Sequence, residues 1–477
     1  MNAARYVSQG APAGAVFDPL HLQAAMLDVV AATHATPALI AQRQQQRLPR
    51  LLEAAREGSA LYRARLDKAR LRWSDLARIE PVTRAELMAR FNDWVTDPEL
   101  DLDELRAFAA DAASVGQSWR GRYMVWESSG ASGLPGIFVE DARAMAVYDA
   151  LEAVRHRPPA RGANNLLSPF GVMDALGLGD RTALITVTNG HFASAVECER
   201  LRRINPWLAP LMRNFNLLSP VDELVAALNE FQPTIVATYP TAAALLAEEA
   251  IAGRLRIAPR HILTGGEYLS AAVRARVTEA LGAPVRNSYG ASEFLPIAWE
   301  CSHGHLHVNE DWVLLEPVDS HYRPVPPGHT PHSVLLTNLA NLVQPLIRYD
   351  LGDKVVFLPG RCGCGSAMPM IDVEGRRDDV LHVPGRKKGE TVSLLPLALC
   401  TVIENEGVFD FQLQQRGPST LALRVPLRGE AAHQAIERCR VALQQFAQRQ
   451  GAQPIRVLGE TGCAVPRGRS GKACRVT

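Results

Sequence analysis

The stretch from residue 181 to 290 constrains the fold more than any other segment of the chain, because short β-branched runs alternate there with helix-length segments. Strand-like runs at 182–188, 234–239, 261–265 and 284–290 are separated by helically spaced segments at 221–231, 241–255 and 271–281. Strands separated by helices of this length form βαβ units, and successive units give a mainly parallel sheet. Ligands of such sheets bind beyond the carboxyl ends of the strands. The turns that follow these runs are therefore the places to look for chemistry.

The flanks read differently. The first 115 or so residues have helical spacing at 36–66 and 83–95, with Thr83 placed to cap the second helix, so they form a helical lead-in. After about residue 300 the apolar runs (312–318, 333–339, 354–358) are short and broken by Pro and Gly, the pattern of a small antiparallel subdomain. Beyond about 379 the order is strand, strand, helix, strand, a small α+β unit. At 477 residues the chain exceeds what one core usually holds. The expected organisation is an N-terminal domain of residues 1–376, including the lead-in at 1–115, and a C-terminal domain of residues 377–477.

The charge balance, 51 Lys and Arg against 50 Asp and Glu, gives no field that would draw nucleic acid or an anionic membrane. Neither a basic leader with an apolar run nor a span of roughly 18 apolar residues occurs. A cytoplasmic protein with small-molecule partners is expected. Eight cysteines are too few for a disulfide scaffold in a chain of this length.

Two segments carry the first chemical signals. Glu127 to Gly136 places three glycines and three hydroxyls in ten residues, between the strand-like runs 122–126 and 137–139. Glycines let backbone N–H groups face a concavity and hydroxyls add donors, which suits a triphosphate, although an ordinary hairpin turn has the same composition. At the end of a predicted strand stands Asn287-Ser-Tyr-Gly-Ala-Ser-Glu293. An aromatic ring there can lie against a purine, and a carboxylate four residues on can hold Mg²⁺ beside phosphate oxygens.

Together with Arg348-Tyr-Asp-Leu-Gly-Asp353 and Glu374-Gly-Arg-Arg-Asp-Asp-Val380, these segments resemble, in order, the motifs of the adenylate-forming superfamily, most nearly its phenylacetate-CoA ligase branch. The resemblance implies a large multi-subdomain α/β domain with a small mobile α+β cap. It assigns Ser128, Ser129, Gly130, Ser132 and Gly133 to a phosphate loop and Gly265, Gly266 and Glu267 to a segment beside the adenine. Tyr289, followed by Gly290 and Ser292, corresponds to the adenine-stacking residue, Glu293 to the magnesium ligand and Asp353 to the acceptor of both ribose hydroxyls. Arg376 corresponds to a phosphate-reaching arginine and Asp378 to the hinge of the cap. Lys472, within Ser470-Gly-Lys-Ala-Cys-Arg475, corresponds to the lysine brought to the reacting carboxylate.

One departure stands out. Relatives commonly carry a lysine in the phosphate loop, where Leu134 and Gly136 stand in this chain. The loop must then hold phosphate by backbone and hydroxyl groups alone or borrow a cation such as Arg376. The turn at Arg386, Lys387 and Lys388 could meet coenzyme A phosphates or be a solvated basic turn.

Cys301, with His303, His305 and His307 close behind it, and Cys362-Gly-Cys364 supply soft ligands of the kind tetrahedral Zn²⁺ takes. Cys301, His307, Cys362 and Cys364 form the expected structural zinc set, with His303 or His305 as substitutes for His307. His191, Phe192 and Tyr239 match places where relatives shape the acyl pocket, and aromatic walls fit an aryl acid. The reaction implied is ATP- and Mg²⁺-dependent acyl-AMP formation followed by transfer to a thiol, with coenzyme A as the leading acceptor. Loading of a carrier protein, adenylation of a deazaflavin coenzyme, a catalytically silent nucleotide sensor and a homodimeric assembly stay open.

Overall fold

The computed structural model describes residues 16–69, 76–128, 135–156, 179–188, 190–387, 389–467 and 475–477. The strands in chain order are β1 (Tyr123–Glu127), β2 (Ile137–Asp141), β3 (Thr182–Thr186), β4 (Met212–Asn216), β5 (Ile235–Thr238), β6 (His261–Thr264), β7 (Val285–Ala291), β8 (Phe294–Glu300) and β9 (Leu306–Val308). There follow β10 (Val313–Val318), β11 (Ser333–Asn338), β12 (Tyr349–Asp350), β13 (Asp353–Phe357), β14 (Met370–Arg376), β15 (Leu381–Pro384), β16 (Thr391–Leu394), β17 (Gln412–Gly417), β18 (Thr420–Val425) and β19 (Arg456–Thr461).

A nine-stranded sheet in the order β13-β14-β9-β8-β7-β6-β5-β3-β4 dominates. From β4 to β7 every neighbouring pair is parallel, and helices Val221–Phe231, Pro240–Ile251 and Ala271–Leu281 make the crossovers, as the alternation predicts. From β7 to β13 every pair is antiparallel. Of the three runs expected as a separate antiparallel subdomain, the third, β13, extends the main sheet together with β9 and β14, while the first two, β10 and β11, form an antiparallel sheet of their own with β12. The seam is β7, whose pairing with β8 shifts register between Tyr289 and Ala291. Gly290 permits it: a Cβ there would lie 1.8 Å from the Leu295 carbonyl oxygen, a contact that only glycine avoids.

Among the described residues three large cores stand beside two small clusters. One joins the lead-in helices to β1, β2 and β8, with Trp94, Trp126, Tyr62 and Phe294 fully buried. Trp94 also donates its indole N–H to the Pro345 carbonyl at 2.6 Å. The second fills the space between the parallel strands and their crossover helices. The third belongs to residues 381–476, where β17, β18 and β19 form a sheet against helix Gly429–Arg449, the unit expected from the sequence. An additional hairpin, β15 with β16, precedes it. This small unit rests on the body through Tyr268, which hydrogen-bonds Thr401, and Phe409, which lies under the Arg276 guanidinium. Among the described residues no helix is long and apolar enough to cross a membrane.

Candidate active site

The carboxyl ends of β6 and β7 and the strands β12 to β14 bring most of the expected site residues together. Thr264 ends β6, and Gly265 follows so close to Ser288 that a Cβ would sit 2.7 Å from its hydroxyl oxygen. Gly266 takes φ +76°, a left-handed conformation natural to glycine. Glu267 then accepts the Thr241 backbone N–H at 3.1 Å, at the start of helix Pro240–Ile251, where the helix dipole favours a carboxylate.

Tyr289 and Asp353 meet directly. The buried Tyr289 hydroxyl donates to Asp353 Oδ2 at 2.7 Å, and Arg376 Nη1 lies 3.4 Å from Asp353 Oδ1. Burial first, and then the Asp353 charge, hold the Tyr289 hydroxyl well above its ordinary pKa, so it acts here as a proton donor. Both carboxylate oxygens of Asp353 are thus engaged. Arg376 is 42% exposed at its side chain, so the Oδ1 partner is the one a diol would displace.

Glu293 is buried, and its Oε1 accepts the Tyr349 hydroxyl at 2.7 Å. Burial raises the carboxyl pKa, while Tyr349 and the charges of Arg376 and Arg84 pull it back. A cation beside the remaining oxygen would favour the ionised form further. A single carboxylate with an oxygen that Tyr349 does not take is a donor Mg²⁺ ordinarily accepts from protein when water and phosphate oxygens complete its shell, so Glu293 fits that ion.

The hairpin expected to hold phosphate closes at its base. Strands β1 and β2 pair in register from Tyr123 with Asp141 to Glu127 with Ile137. Beyond them the Ser128 N–H donates to the Gly136 carbonyl at 2.9 Å, and the Gly136 N–H donates to Ser128 Oγ at 2.8 Å. Ser129, Gly130, Ser132, Gly133 and Leu134 lie outside the described residues. Trp126 donates its indole N–H to the Ser292 carbonyl at 2.9 Å, tying the hairpin to the turn before Glu293.

Arg84 was not foreseen from sequence. It opens helix Arg84–Ala89, with Thr83 as the expected cap, and its Nη1 stands 3.5 Å from Ser128 Oγ. Its Cδ packs over Gly136, 3.3 Å from where a Cβ would be, and its charge is felt by both Glu293 and Tyr349. A cation from the lead-in therefore stands beside a loop that carries no lysine. The nearest sequence signal was Thr83 itself, which located the helix start but not its target.

His191 and Phe192 are buried. His191 Nε2 is 3.1 Å from Ser114 Oγ, its ring packs on Phe108, and desolvation lowers its pKa. Phe192 bridges to Glu127, so both residues line the base of the hairpin strand. The Tyr239 hydroxyl, raised by burial and by Glu267, hydrogen-bonds Ser194. Asp378 lies in the turn Arg377–Asp379 immediately after β14, and Arg377 pairs with Asp350 at 3.0 Å. Lys472 lies outside the described residues, but Arg475 and Thr477 bond through their carbonyls to Leu413 and Gln415 of β17. Arg475 also pairs with the buried Glu404 and stacks over Phe411, within the field of Glu267.

Cys301, His307, Cys362 and Cys364 converge, with ligand atoms all within 4.8 Å of one another. Cys301 Sγ to Cys362 Sγ is 3.7 Å, and Cys364 Sγ to His307 Nε2 is 3.4 Å. Zinc–sulfur bonds of about 2.3 Å at tetrahedral angles give a sulfur–sulfur edge of roughly 3.75 Å, so the spacing fits zinc. His307 Nδ1 donates to the Met368 carbonyl at 2.8 Å, which turns Nε2 toward the sulfurs, and the ring stacks on Trp299. His303 and His305 do not join the four.

Residues 209–328 match the family of AMP-binding enzymes. The chain is 24% identical to Protein CapK of Staphylococcus aureus over 212 residues, 43% of this chain and 45% of that protein, so the match spans less than half of that relative's length. The fold is similar to that of 2-hydroxyisobutyryl-CoA ligase in its postadenylation state with an acyl-AMP, with a TM-score of 0.66 and 21% identity over 94% of this chain and 91% of that one. The same ligase in its thioesterification state with acyl-AMP and CoA gives 0.54 at the same identity and coverage. The segment that matches AMP-binding enzymes is thus set in a fold similar to that of an acyl-AMP-bound CoA ligase.

Proposed function

We propose that this protein activates a carboxylic acid, by preference an aryl acid, as its acyl-AMP and passes the acyl group to coenzyme A, in the manner of the phenylacetate-CoA ligase branch. The observation that carries the reading is the convergence of Asp353, Tyr289, Glu293 and Arg376 opposite the hairpin base at Ser128 and Gly136. A diol acceptor, a metal-binding carboxylate and a phosphate cradle within one cleft are the components an adenylation needs.

In this reading the ribose hydroxyls take Asp353 Oδ1 from Arg376, freeing the guanidinium for the phosphates. The substrate carboxylate attacks the α-phosphorus, an acyl–phosphate bond forms, and pyrophosphate leaves with the bond's electron pair. Magnesium held by Glu293 would offset charge on the phosphate oxygens. Lys472 stabilises the charge developing at the attacking carboxylate, and Asp378 is the hinge about which the cap turns before a thiol displaces AMP. The two conformers of one ligase differ in score, 0.66 against 0.54, which supports a cap standing nearer the arrangement that follows adenylation.

The reading is tested by pyrophosphate release across a panel of aryl and aliphatic acids, with coenzyme A or a carrier protein then added to the active pairs. Release with an aryl acid and thioester formation with coenzyme A are expected; no release with any acid would overturn it. Arg84 supplies the cation the loop lacks, so Arg84→Ala is expected to raise the KM for ATP roughly 10- to 100-fold, the size of a charge-assisted hydrogen bond. An unchanged KM in pyrophosphate exchange would remove Arg84 from that role.

We further propose a structural zinc ion on Cys301, His307, Cys362 and Cys364. It would clamp β9 to the start of β14, where Met370 pairs with His307 and whose far end carries Arg376. Protein purified without added metal should contain about one equivalent of zinc, and Cys364→Ser should lose it. Wild-type protein free of zinc by elemental analysis would contradict the assignment.

A further inference from the structure

We propose that Tyr349 is a positioning residue for the metal step: its hydroxyl fixes Glu293 so that one carboxylate oxygen, and only one, is presented to the divalent cation of the nucleotide. The inference rests on the adenylation reading above and adds a residue that none of the motif roles assigns.

The geometry is direct. Tyr349 Oη donates to Glu293 Oε1 at 2.7 Å, and both side chains are buried. A carboxylate whose Oε1 is held by a short hydrogen bond cannot rotate freely, so Oε2 has a defined direction. The Glu293 main chain is held as well, because Asn338 donates to its carbonyl at 3.2 Å. The carboxylate is bonded by its own backbone N–H as well, so with the main chain and Oε1 held the direction of Oε2 is set, and Mg²⁺ demands near-ideal octahedral placement of each ligand.

Tyr349 is in turn held by the element that carries the phosphate cation. Strand β12 bridges in parallel to Val82, through Val82 N–H to the Arg348 carbonyl at 3.1 Å and Asp350 N–H to the Val82 carbonyl at 2.9 Å. Arg84 begins two residues later. Arg348, at φ +52° and buried, pairs with Glu316 and donates to the Ala77 and Ile79 carbonyls, clamping the same junction. On its other side β12 leads through Asp350, paired with Arg377, to Asp353. One short strand therefore sets the metal carboxylate, the phosphate arginine and the ribose acceptor in a common frame.

The test is Tyr349→Phe, which removes one oxygen atom. Mn²⁺ binding to the enzyme–ATP complex is followed by the loss of the free-ion electron paramagnetic resonance signal, and metal-free AMP binding is measured beside it. An outer partner of a metal ligand commonly governs affinity by 10- to 100-fold, so Mn²⁺ affinity is expected to fall at least about 10-fold while AMP affinity stays within about twofold. In a Glu293→Gln background the same substitution should produce no further loss of Mn²⁺ affinity, because the hydroxyl acts only through the carboxylate. Unchanged Mn²⁺ affinity in Tyr349→Phe, equal losses for Mn²⁺ and AMP, or a further loss in the Glu293→Gln background would each overturn the inference. Wild-type protein that binds no Mn²⁺ with ATP would instead sink the adenylation reading.

Discussion

Lys472→Ala is expected to slow acid-dependent pyrophosphate exchange about 10²- to 10³-fold, while the attack of a thiol on a supplied acyl-adenylate proceeds at nearly the wild-type rate. The magnitude is that of one preorganised donor removed from a developing charge. The asymmetry follows from the two-position mechanism proposed above, in which the lysine would serve only the first half-reaction. Three residues beyond it, Arg475 is fixed by Glu404 and Phe411 within the cap and lies in the field of Glu267 on the body. Arg475 is thus held in the cap within reach of the charge on the turn that the proposal sets beside the nucleotide. Quenched-flow measurement of the separate halves checks it, and equal damage to both would refute the two-position role.

The largest stability effect is expected at Asp311. Arg155 Nη1 and Nη2 bond its two carboxylate oxygens at 2.8 and 3.0 Å, and both side chains are fully buried. The same guanidinium reaches Asn309 and Thr33, so one cation joins the first helix, Pro19–Thr33, to the turn between β9 and β10. Asp311→Ala leaves an uncompensated buried charge, which costs about 3–5 kcal/mol. At roughly 2–4 °C per kcal/mol for large domains, the melting temperature should fall by roughly 6–20 °C. The double substitution Arg155→Met with Asp311→Leu should recover much of the loss, since no charge is then stranded. Calorimetry reads both, and a single variant as stable as wild type would mean that the pair does not hold the lead-in.

The sequence was most informative where a local pattern and a physical requirement coincide. Short β-branched runs alternating with helix-length segments made β3, β5 and β6 and their crossover helices legible, and β7 was placed by the same alternation. The glycines at 265, 266 and 290 were picked out only through the motif resemblance, and the structure supplies their physical reason, close backbone approach at 265 and 290 and a left-handed turn at 266. Side-chain pairings across long separations were not. Arg84 meets Ser128 across 44 residues and Tyr349 meets Glu293 across 56, and nothing in either residue's neighbours announces the partner. The continuity of β7 into the antiparallel strands was missed for a related reason: composition distinguishes the two halves but not the shared sheet edge. Among three nearby histidines the sequence favoured His307 with His303 or His305 as substitutes, and the fold brings His307 to the cysteines, held by the Met368 carbonyl and the Trp299 ring.

The most direct test of the account is a crystal structure with a non-hydrolysable acyl sulfamoyl adenosine. The account predicts the purine against Tyr289, the ribose hydroxyls on Asp353 with Arg376 displaced from Oδ1, and the sulfamoyl group facing the Ser128–Gly136 hairpin and Arg84. An analogue bound elsewhere, or Asp353 still closed by Arg376 with the ribose beyond its reach, would contradict it.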